Sequence, residues 1–226
     1  MTFRDYSDLP LRGRAAAPEH GHRRRAVYRD GAKRCLDILL VVLSLPISLP
    51  LILGMMGLVA LEGGNPLYCQ KRLGRGGRLF RLIKIRTMVP GAEALLAAHL
   101  DQNSEARREW VETQKLKCDP RTTRIGRFLR KSSLDELPQL WNVLKGDMSL
   151  VGPRPMMPEQ ERLYPGTAYF DLRPGITGLW QISERNETSF AERAGFDNRY
   201  LSSLSLSLDL SILLRTVSVV LRGTGY

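Results

Sequence analysis

The longest apolar stretch of the chain runs from residue 38 to residue 61 and contains no charged side chain. An uncharged run of about 18 residues or more is long enough to cross a bilayer as a helix. Pro46 and Pro50 lie near the middle of the run, and each removes a backbone donor and crowds the preceding turn. The pattern therefore predicts a hydrophobic helix that is bent or broken near its midpoint.

Basic residues flank this apolar run on both sides, and basic side chains near a membrane segment tend to remain cytoplasmic. A re-entrant helix, which enters the bilayer and returns to the same face, satisfies that preference at both ends, whereas a straight span satisfies it at one. The run by itself leaves a re-entrant helix and a kinked anchor open. The basic residues are Arg23, Arg24, Arg25, Arg29, Lys33 and Arg34 before the run, and Lys71, Arg72, Arg75, Arg78, Arg81, Lys84 and Arg86 after it.

Shorter patterns predict elements beyond the apolar run. Two apolar segments, at residues 67–70 and 79–85, lie on either side of the glycine-rich residues 74–77. Short apolar runs around a glycine turn are typical of a β-hairpin. Residues 91–117 repeat apolar positions with helical spacing, which predicts helical structure in this segment. The result is a mainly helical chain with a small hairpin.

Two acidic side chains interrupt or border apolar segments. Asp37 lies one helical turn from Lys33 and Arg34, so we expect it to pair with either of them. Residues 201–222 alternate leucines with serines and contain Asp209. This predicts either an amphipathic helix in the membrane interface, with its serines and Asp209 toward water, or a core helix.

Composition narrows the class of partner. The chain has 226 residues, with 34 Lys or Arg against 23 Asp or Glu, which gives a formal charge of +11. Such a charge implies an anionic partner, namely nucleic acid, anionic lipid or a phosphorylated substrate, and the apolar run favours a lipid surface. The three cysteines are widely spaced and indicate neither a disulfide framework nor a zinc site. Prolines, alanines and arginines in residues 1–32 predict a basic flexible tail.

An adjacent acid pair, Asp135 and Glu136, is the strongest candidate for chemistry. Ser133 precedes Glu136 by three residues, so a capping box at a helix start is the structural alternative. Further along, prolines and glycines surround Arg154 and Arg173 and fix them in rigid turns. Guanidinium groups match phosphate oxygens. The acid pair and the two arginine turns together predict a site for a polyanion and a metal.

With these motifs the chain resembles the bacterial sugar transferases, which are monotopic polyprenyl-phosphate phosphoglycosyl transferases. The resemblance extends from about residue 33 to the end, and it is greatest to exopolysaccharide galactosyl-phosphate transferases. It rests on Lys-Arg-x-x-Asp from residue 33, Leu-Asp-Glu-Leu-Pro-Gln-Leu-Trp-Asn-Val-Leu-Lys-Gly-Asp-Met-Ser from residue 134, Val-Gly-Pro-Arg-Pro from residue 151 and Arg-Pro-Gly-Ile-Thr-Gly-Leu-Trp-Gln from residue 173.

The resemblance implies an architecture. It is a mainly α monotopic membrane protein with a small β-hairpin, a re-entrant broken helix, and interfacial amphipathic helices around a cytosolic active site. The tail would comprise residues 1–32, the re-entrant membrane helix residues 33–61, and the catalytic domain on the membrane surface residues 62–226. The expected location is the cytoplasmic face of the bacterial inner membrane.

The resemblance also implies an activity, which is transfer of galactose or glucose 1-phosphate from a UDP-sugar to polyprenyl (undecaprenyl) phosphate. UMP would be released, and the product would initiate exopolysaccharide synthesis. Asp135 would be the nucleophile that forms an aspartyl-phosphosugar, and Glu136 would help to hold Mg²⁺. The residues implied in phosphate or substrate binding are Arg130, Arg154, Arg173 and Arg185.

The partners expected on this basis are the UDP-sugar, the polyprenyl phosphate, anionic membrane lipid and a second copy in a homodimer, with no nucleic acid. A membrane-tethered basic adaptor without chemistry is the alternative from another class of protein. It explains the charge and the apolar run. It gives no reason for the acid pair or for the two arginine turns.

Overall fold

In a computed structural model, the described part of the chain is mostly helical and contains a small antiparallel sheet of two strands, as the sequence predicts. It comprises residues 27–113, 116, 118–183 and 190–221. The helices are α1 (Lys33–Leu61), α2 (Ala92–Gln102), α3 (Ser104–Thr113), α4 (Arg124–Ser132), α5 (Gln139–Lys145), α6 (Ala168–Asp171), α7 (Arg193–Ser203) and α8 (Leu206–Leu221). The strands are β1 (Leu67–Leu73), β2 (Leu79–Ile85), β3 (Ser149–Val151) and β4 (Gly175–Thr177).

The apolar run forms α1, which continues through Pro46 and Pro50 without leaving the helical conformation. α1 is therefore not broken at the prolines, although prolines inside a continuous helix commonly bend it. A helical turn, Tyr28–Ala32, leads into α1 from residues assigned to the tail, and residues 1–26 lie outside the described part. The helix is long and apolar enough to cross a membrane, and it is compatible with monotopic membrane association.

Both ends of α1 are attached to the domain that follows it. Near the start of the helix, Val41 belongs to an apolar cluster with residues of β2, α5 and the start of β3. Near its end, Val59 is buried in a cluster with Ile85 of β2 and Leu129 of α4. Arg86 donates hydrogen bonds to the carbonyl oxygens of Val59 and Gly63. The middle of the helix remains exposed, as at Ile47, which is 77% exposed.

The polar residues at the start of α1 make distant contacts. Lys33 Nζ lies 2.6 Å from Asp209 Oδ2 of α8. The hydroxyls of Tyr28 and Tyr200 also donate to the Asp209 carboxylate, at 2.7 Å and 2.6 Å. We call these four residues the anchor cluster. The expectation that Asp209 faces water was wrong, because the cluster buries its side chain to 1% exposure.

Asp37 has a partner other than the expected ones. Its carboxylate accepts the backbone N–H of Leu150 at 3.0 Å, while Lys33 pairs with Asp209. Arg34 donates to the carbonyl oxygens of Val143 and Leu144 at the end of α5. The predicted pairing of Asp37 within its own helix was therefore wrong, since each of these side chains satisfies a distant group.

Two local predictions, the hairpin and the helical segment that follows it, are confirmed by the structure. The hairpin is confirmed, because β1 and β2 pair antiparallel from Leu67 opposite Ile85 to Leu73 opposite Leu79. The helical prediction for residues 91–117 is confirmed over residues 92–102 and 104–113, where Asn103 separates α2 from α3. The Asn103 side chain accepts the backbone N–H groups of Glu105 and Ala106, so it caps α3 and ends the continuous pattern.

A second pair of strands joins the two arginine turns. β3 and β4 pair in parallel, with Ser149 opposite Gly175 and Val151 opposite Thr177. A Cβ atom on Gly152 would collide with the carbonyl oxygen of Arg173 and lie 2.9 Å from the nitrogen of Gly175. Close backbone packing therefore requires glycine at residue 152. The sequence patterns did not predict this pair, because strands of three residues carry almost no periodic signal.

Candidate active site

The acid pair lies in a short 3₁₀ turn directly after α4. α4 ends at Ser133, which has a left-handed backbone (φ 57°), and Leu134–Glu136 form the turn. Ser133 makes no side-chain cap to this turn, so the capping box considered from the sequence is not formed. The turn instead directs Asp135 into the domain, where its side chain is buried. The pair is therefore more than the start of a helix.

Close packing of α4 fixes where the turn begins. Gly126 has no space for a Cβ atom, which would collide with the carbonyl oxygen of Thr87, and Leu129 is fully buried. Arg130, on the inward side of the helix, donates to the hydroxyls of Thr87 at 2.9 Å and Thr122 at 3.2 Å. Its guanidinium is thus held in place before any ligand binds.

Asp119 supports Arg130 from the other side. Its Oδ2 lies 3.8 Å from Nη1 of Arg130, and its carboxylate takes two hydrogen bonds from the guanidinium of Arg121, at 2.7 Å and 2.6 Å. These contacts with arginine hold the pKa of Asp119 below its usual value although burial opposes the shift. An ionised Asp119 therefore balances part of the charge of Arg130.

Asp135 is a buried carboxylate among cations. Burial and the neighbouring charge of Glu136 raise its pKa, while Lys84, Arg130 and Arg154 act in the opposite direction. Desolvation disfavours the charged form of a carboxylate, and nearby cations favour it. A carboxylate in this setting is more basic than a free one and is still available as an anion near neutral pH, which suits a nucleophile.

Glu136 faces the first of the two arginine turns. Its Oε1 lies 3.7 Å from Nη1 of Arg154, with side-chain exposures of 26% and 36%. The Arg154 guanidinium also lies 5.9 Å from the ring centroid of Trp180, which follows the second arginine turn. The β3–β4 pairing therefore brings Arg154 to the acid pair and to Trp180 at once.

The predicted arginines do not all meet at the acid pair. Arg130 and Arg154 interact with Asp135. Arg173 instead donates to the carbonyl oxygen of Gly146 at 3.2 Å, and the charged groups that affect its pKa include Arg75 and Arg34. It thus lies near the start of α1. Arg185 is outside the described residues, and its role stays a prediction.

Sequence reasoning missed three basic residues at the site. Lys84 of β2 faces Asp135, and burial lowers its pKa to about 8. Arg72 of β1 and Arg193 of α7 lie near Arg154, which contributes with burial to lowering the pKa of each. Lys84 had a usable signal, since it is the one charge within Leu82-Ile83-Lys84-Ile85. The other two carry no local signal, because distant parts of the chain bring them together.

The site fits Mg²⁺ only in one manner. In the described residues there is no group of three or more His, Cys, Asp or Glu side chains that could hold a metal ion. Mg²⁺ usually binds through one or two carboxylates together with substrate phosphates and water. Asp135 and Glu136 supply such a pair, and the surrounding arginines favour a phosphorylated ligand. The donor set therefore suits a metal that is shared with a substrate and not one caged by protein.

Fold and site together define a class: a protein with one long apolar helix and a carboxylate pair among buried cations. Comparison with known proteins agrees, since residues 28–223 match the family model described as bacterial sugar transferase. The chain belongs to the bacterial sugar transferase family.

Several relatives of this chain have been named. The exopolysaccharide production protein ExoY of Sinorhizobium fredii is 45% identical over 197 residues, which cover 86% of this chain and 87% of the relative. The undecaprenyl-phosphate galactose phosphotransferase of Salmonella typhimurium is 46% identical over 195 residues, which cover 85% of this chain. The UDP-glucose:undecaprenyl-phosphate glucose-1-phosphate transferase of Caulobacter vibrioides is 38% identical over 203 residues, which cover 85% of this chain and 70% of the relative. The match covers only 41% of the length of the Salmonella relative.

Proposed function

We propose that this chain transfers a hexose 1-phosphate, of galactose or glucose, from a UDP-sugar to undecaprenyl phosphate and releases UMP. The product would start an exopolysaccharide. The observation that carries the proposal is the Asp135 carboxylate, which is buried next to Lys84, Arg130 and Arg154. The names of the relatives support the substrates, since they include a galactose phosphotransferase and a glucose-1-phosphate transferase that act on undecaprenyl phosphate.

The proposed reaction has two displacements at one phosphorus atom. A carboxylate oxygen of Asp135 attacks the β-phosphorus of the UDP-sugar, and the bond from that phosphorus to the bridging oxygen breaks. The bridging oxygen and its electron pair leave with UMP. A phosphate oxygen of undecaprenyl phosphate then attacks the same phosphorus, and Asp135 departs as a carboxylate. The lipid is left joined to the sugar through a diphosphate, and no proton needs to move.

The cations make the attack of one anion on another feasible. Arg130 is held by Thr87 and Thr122, so it does not need to reorganise when negative charge develops on the phosphoryl oxygens. Lys84 and Arg154 add positive charge on other sides of Asp135. Glu136 and Asp135 would hold Mg²⁺, which when bound supplies Lewis-acid stabilisation of the phosphoryl oxygens.

We propose that α1 is re-entrant and that the domain lies on the cytoplasmic face of the inner membrane. A straight helix of this length spans about 43 Å, more than the hydrocarbon core of about 30 Å. Both ends of α1 pack on one domain, which supports an entry and a return on the same face, with the helix bent at Pro46 and Pro50. In α8, a row of exposed apolar side chains at helical spacing supports an interfacial position; it consists of Leu206, Leu210, Leu214 and Val217.

The activity is tested with the full chain in membranes. UDP-galactose, UDP-glucose and other UDP-sugars are offered with undecaprenyl phosphate, and UMP release is measured. We expect release with one hexose donor, and loss of release in Asp135→Asn without loss of membrane association. Without acceptor, mass spectrometry should find a phosphohexose on the peptide that contains Asp135. Asp101→Asn, which changes an exposed carboxylate on α2, is the control.

Unchanged turnover in Asp135→Asn would remove this residue from its role. Activity that survives a chelator would remove Mg²⁺ from the proposal.

The topology has a separate test. The exposed cysteines Cys35, Cys69 and Cys118 are first replaced by serine. Asp30→Cys and Glu62→Cys then place one thiol near each end of α1. A membrane-impermeant maleimide added to sealed inner-membrane vesicles with the cytoplasmic face outward should label both. Labelling of only one before the vesicles are opened would indicate a full span.

A further inference from the structure

A second group of cations has Arg154 in common with the cations around Asp135. It consists of Arg72, Arg154 and Arg193, and each of these guanidiniums is close enough to affect another electrostatically. Burial and the neighbouring arginines lower the pKa of Arg193 to about 9 and that of Arg72 to about 10. Glu136, near Arg154 and Arg72, and Asp197, near Arg193, offset part of this positive charge. The excess of buried positive charge is unfavourable unless a further anion joins it.

Aromatic rings orient Arg193. Its guanidinium carbon lies 4.3 Å from the ring centroid of Trp180 and 4.6 Å from that of Phe190. Contact with the faces of two rings leaves the planar group few orientations. Asp197, one helical turn further along α7, adds the one nearby opposite charge that acts on Arg193 among the described residues, and it accepts a hydrogen bond from the Tyr164 hydroxyl at 2.9 Å.

Two hydrogen-bond donors in this group have no partner in the described chain. The Nε atoms of Arg72 and Arg193 are both buried and make no hydrogen bond. Buried donors are normally satisfied, and an exception calls for an explanation. The cavity beside Arg193 and Trp180 holds only about 10 Å³, roughly one water. A larger ligand would therefore bind at its mouth, where Arg154 is 36% exposed.

The cations of the site form two overlapping groups that share Arg154, and Arg72 also interacts with Lys84 and Glu136. Lys84, Arg130 and Arg154 act on Asp135, while Arg72 and Arg154 act on Arg193. The donor has two phosphates, and the phosphorus that is attacked must be the one near Asp135. The other phosphate leaves with the nucleoside. Two adjoining cation groups with one arginine in common therefore match the two adjoining phosphates of a nucleoside diphosphate.

We propose that Arg72 and Arg193, with Arg154 between them and Asp135, bind the nucleoside monophosphate part of the donor through its phosphate. This inference rests on the proposed function and extends it by assigning the site of the leaving group. A neutral hexose would not compensate three guanidiniums, whereas a phosphate accepts several of their N–H bonds at once. Arg193 is then a donor-binding residue, and Trp180 and Phe190 position it.

The test measures binding of UMP, uridine and inorganic phosphate to the full chain in detergent or nanodiscs by titration calorimetry. We expect Arg193→Gln to weaken UMP binding by about tenfold to a hundredfold, the usual effect of losing a hydrogen-bonded charge. Arg193→Lys should recover only part of this loss, because it keeps the charge and loses the planar fork. Uridine binding should change little. Arg199→Gln is the matched control, since Arg199 is an exposed arginine on the same helix, 4.9 Å from the ring of Phe196.

The outcomes separate this inference from the proposed function. Loss of UMP binding in Arg193→Gln would support the inference even if no UDP-hexose were ever turned over. UMP binding that is equal in wild type, Arg193→Gln and Arg72→Gln would overturn it while hexose transfer continued. A rise in the KM for undecaprenyl phosphate with unchanged UMP affinity would also overturn it, because the arginines would then serve the acceptor. A near-ultraviolet circular dichroism spectrum like that of wild type shows that a variant is folded.

Discussion

Two clusters of buried charge among the described residues differ in how completely protein groups satisfy them. In the anchor cluster, Asp209 takes hydrogen bonds from Tyr28, Lys33 and Tyr200, at 2.6 to 2.7 Å. In the active site, Glu136 and Arg154 approach only to 3.7 Å, and the Nε atoms of Arg72 and Arg193 make no hydrogen bond. One cluster is complete within the chain, and the other leaves donors for something else.

The difference separates a structural cluster from a binding cluster. A buried polar network that is fully satisfied holds elements in one arrangement, and the anchor cluster holds α1 against α7 and α8. A network with free capacity is costly in the empty protein and is explained by a ligand. Burial alone does not distinguish the two. The two clusters are distinguished by whether each buried donor and acceptor has a hydrogen-bond partner.

The largest effect expected from this comparison concerns stability. Asp209→Ala leaves Lys33 buried without its partner, and breaking a buried pair in this way costs about 3–5 kcal/mol. Asp135→Ala removes a buried carboxylate whose pKa burial has raised, so it should cost little or even stabilise the fold. Urea unfolding followed by tryptophan fluorescence measures both. Equal destabilisation by the two variants would mean that the clusters do not differ as described.

A smaller effect is expected where the backbone supports the site. In Gly152→Ala, the new methyl group would push against the carbonyl of Arg173, and such overpacking typically costs about 1–3 kcal/mol. Because the contact joins the two arginine turns, Arg154 should shift and hexose transfer should fall as well. Gly195→Ala is the control, since a Cβ atom there meets nothing within 4 Å. Full activity in Gly152→Ala would show that the β3–β4 pair does not position Arg154.

The sequence predicts the parts of this fold that depend on neighbouring residues. Continuous hydropathy predicts α1, and two apolar runs around glycines predict the β1–β2 hairpin. Both are confirmed. The anchor cluster was not predicted, because a polar residue in an apolar helix is expected to face water until its distant partners are known. Asp209 and Lys33 are 176 residues apart, and no local pattern joins them.

The candidate site divides in the same way. The acid pair and Arg154 were singled out from short motifs, and Arg130 from the resemblance to the family; their roles stay predictions. Arg72 and Arg193 were not predicted, because they lie far apart in the sequence and come near Arg154 only in the fold. Arg173 is the opposite case, and its role in substrate binding stays a prediction. It lies in a turn like that of Arg154, but the parallel pairing of β3 and β4 leaves it beside Gly146.

The smallest expected effect is a pH dependence of activity that belongs to the active site. The pKa of Asp135 lies above its ordinary value, which is about 3.9. As the pH falls through the raised pKa, the carboxylate is protonated and can no longer attack, so kcat/KM should fall by about tenfold per pH unit. Arg130→Gln removes a cation that lowers this pKa, and the midpoint should move upward. Initial rates of UMP release are measured between about pH 4 and pH 8, so that the data extend at least about one unit on either side of the midpoint. These rates give the slope for wild type and the shift of the midpoint in Arg130→Gln.

Stability should respond to pH with the opposite sign. Because the folded pKa of Asp135 is above the unfolded one, the folded state holds the proton more tightly, and stability from this group is lost as the pH rises through the folded pKa. Asp197, whose pKa burial raises to about 6, contributes with the same sign, so wild type must be compared with Asp135→Asn. In Asp135→Asn, the free energy of unfolding should change less steeply with pH than in wild type. Suppose that the pH dependence of the free energy of unfolding is unchanged in Asp135→Asn and that Arg130→Gln does not move the midpoint of kcat/KM. The cations around Asp135 would then not control its ionisation. The contrast with the anchor cluster would rest on hydrogen bonds alone.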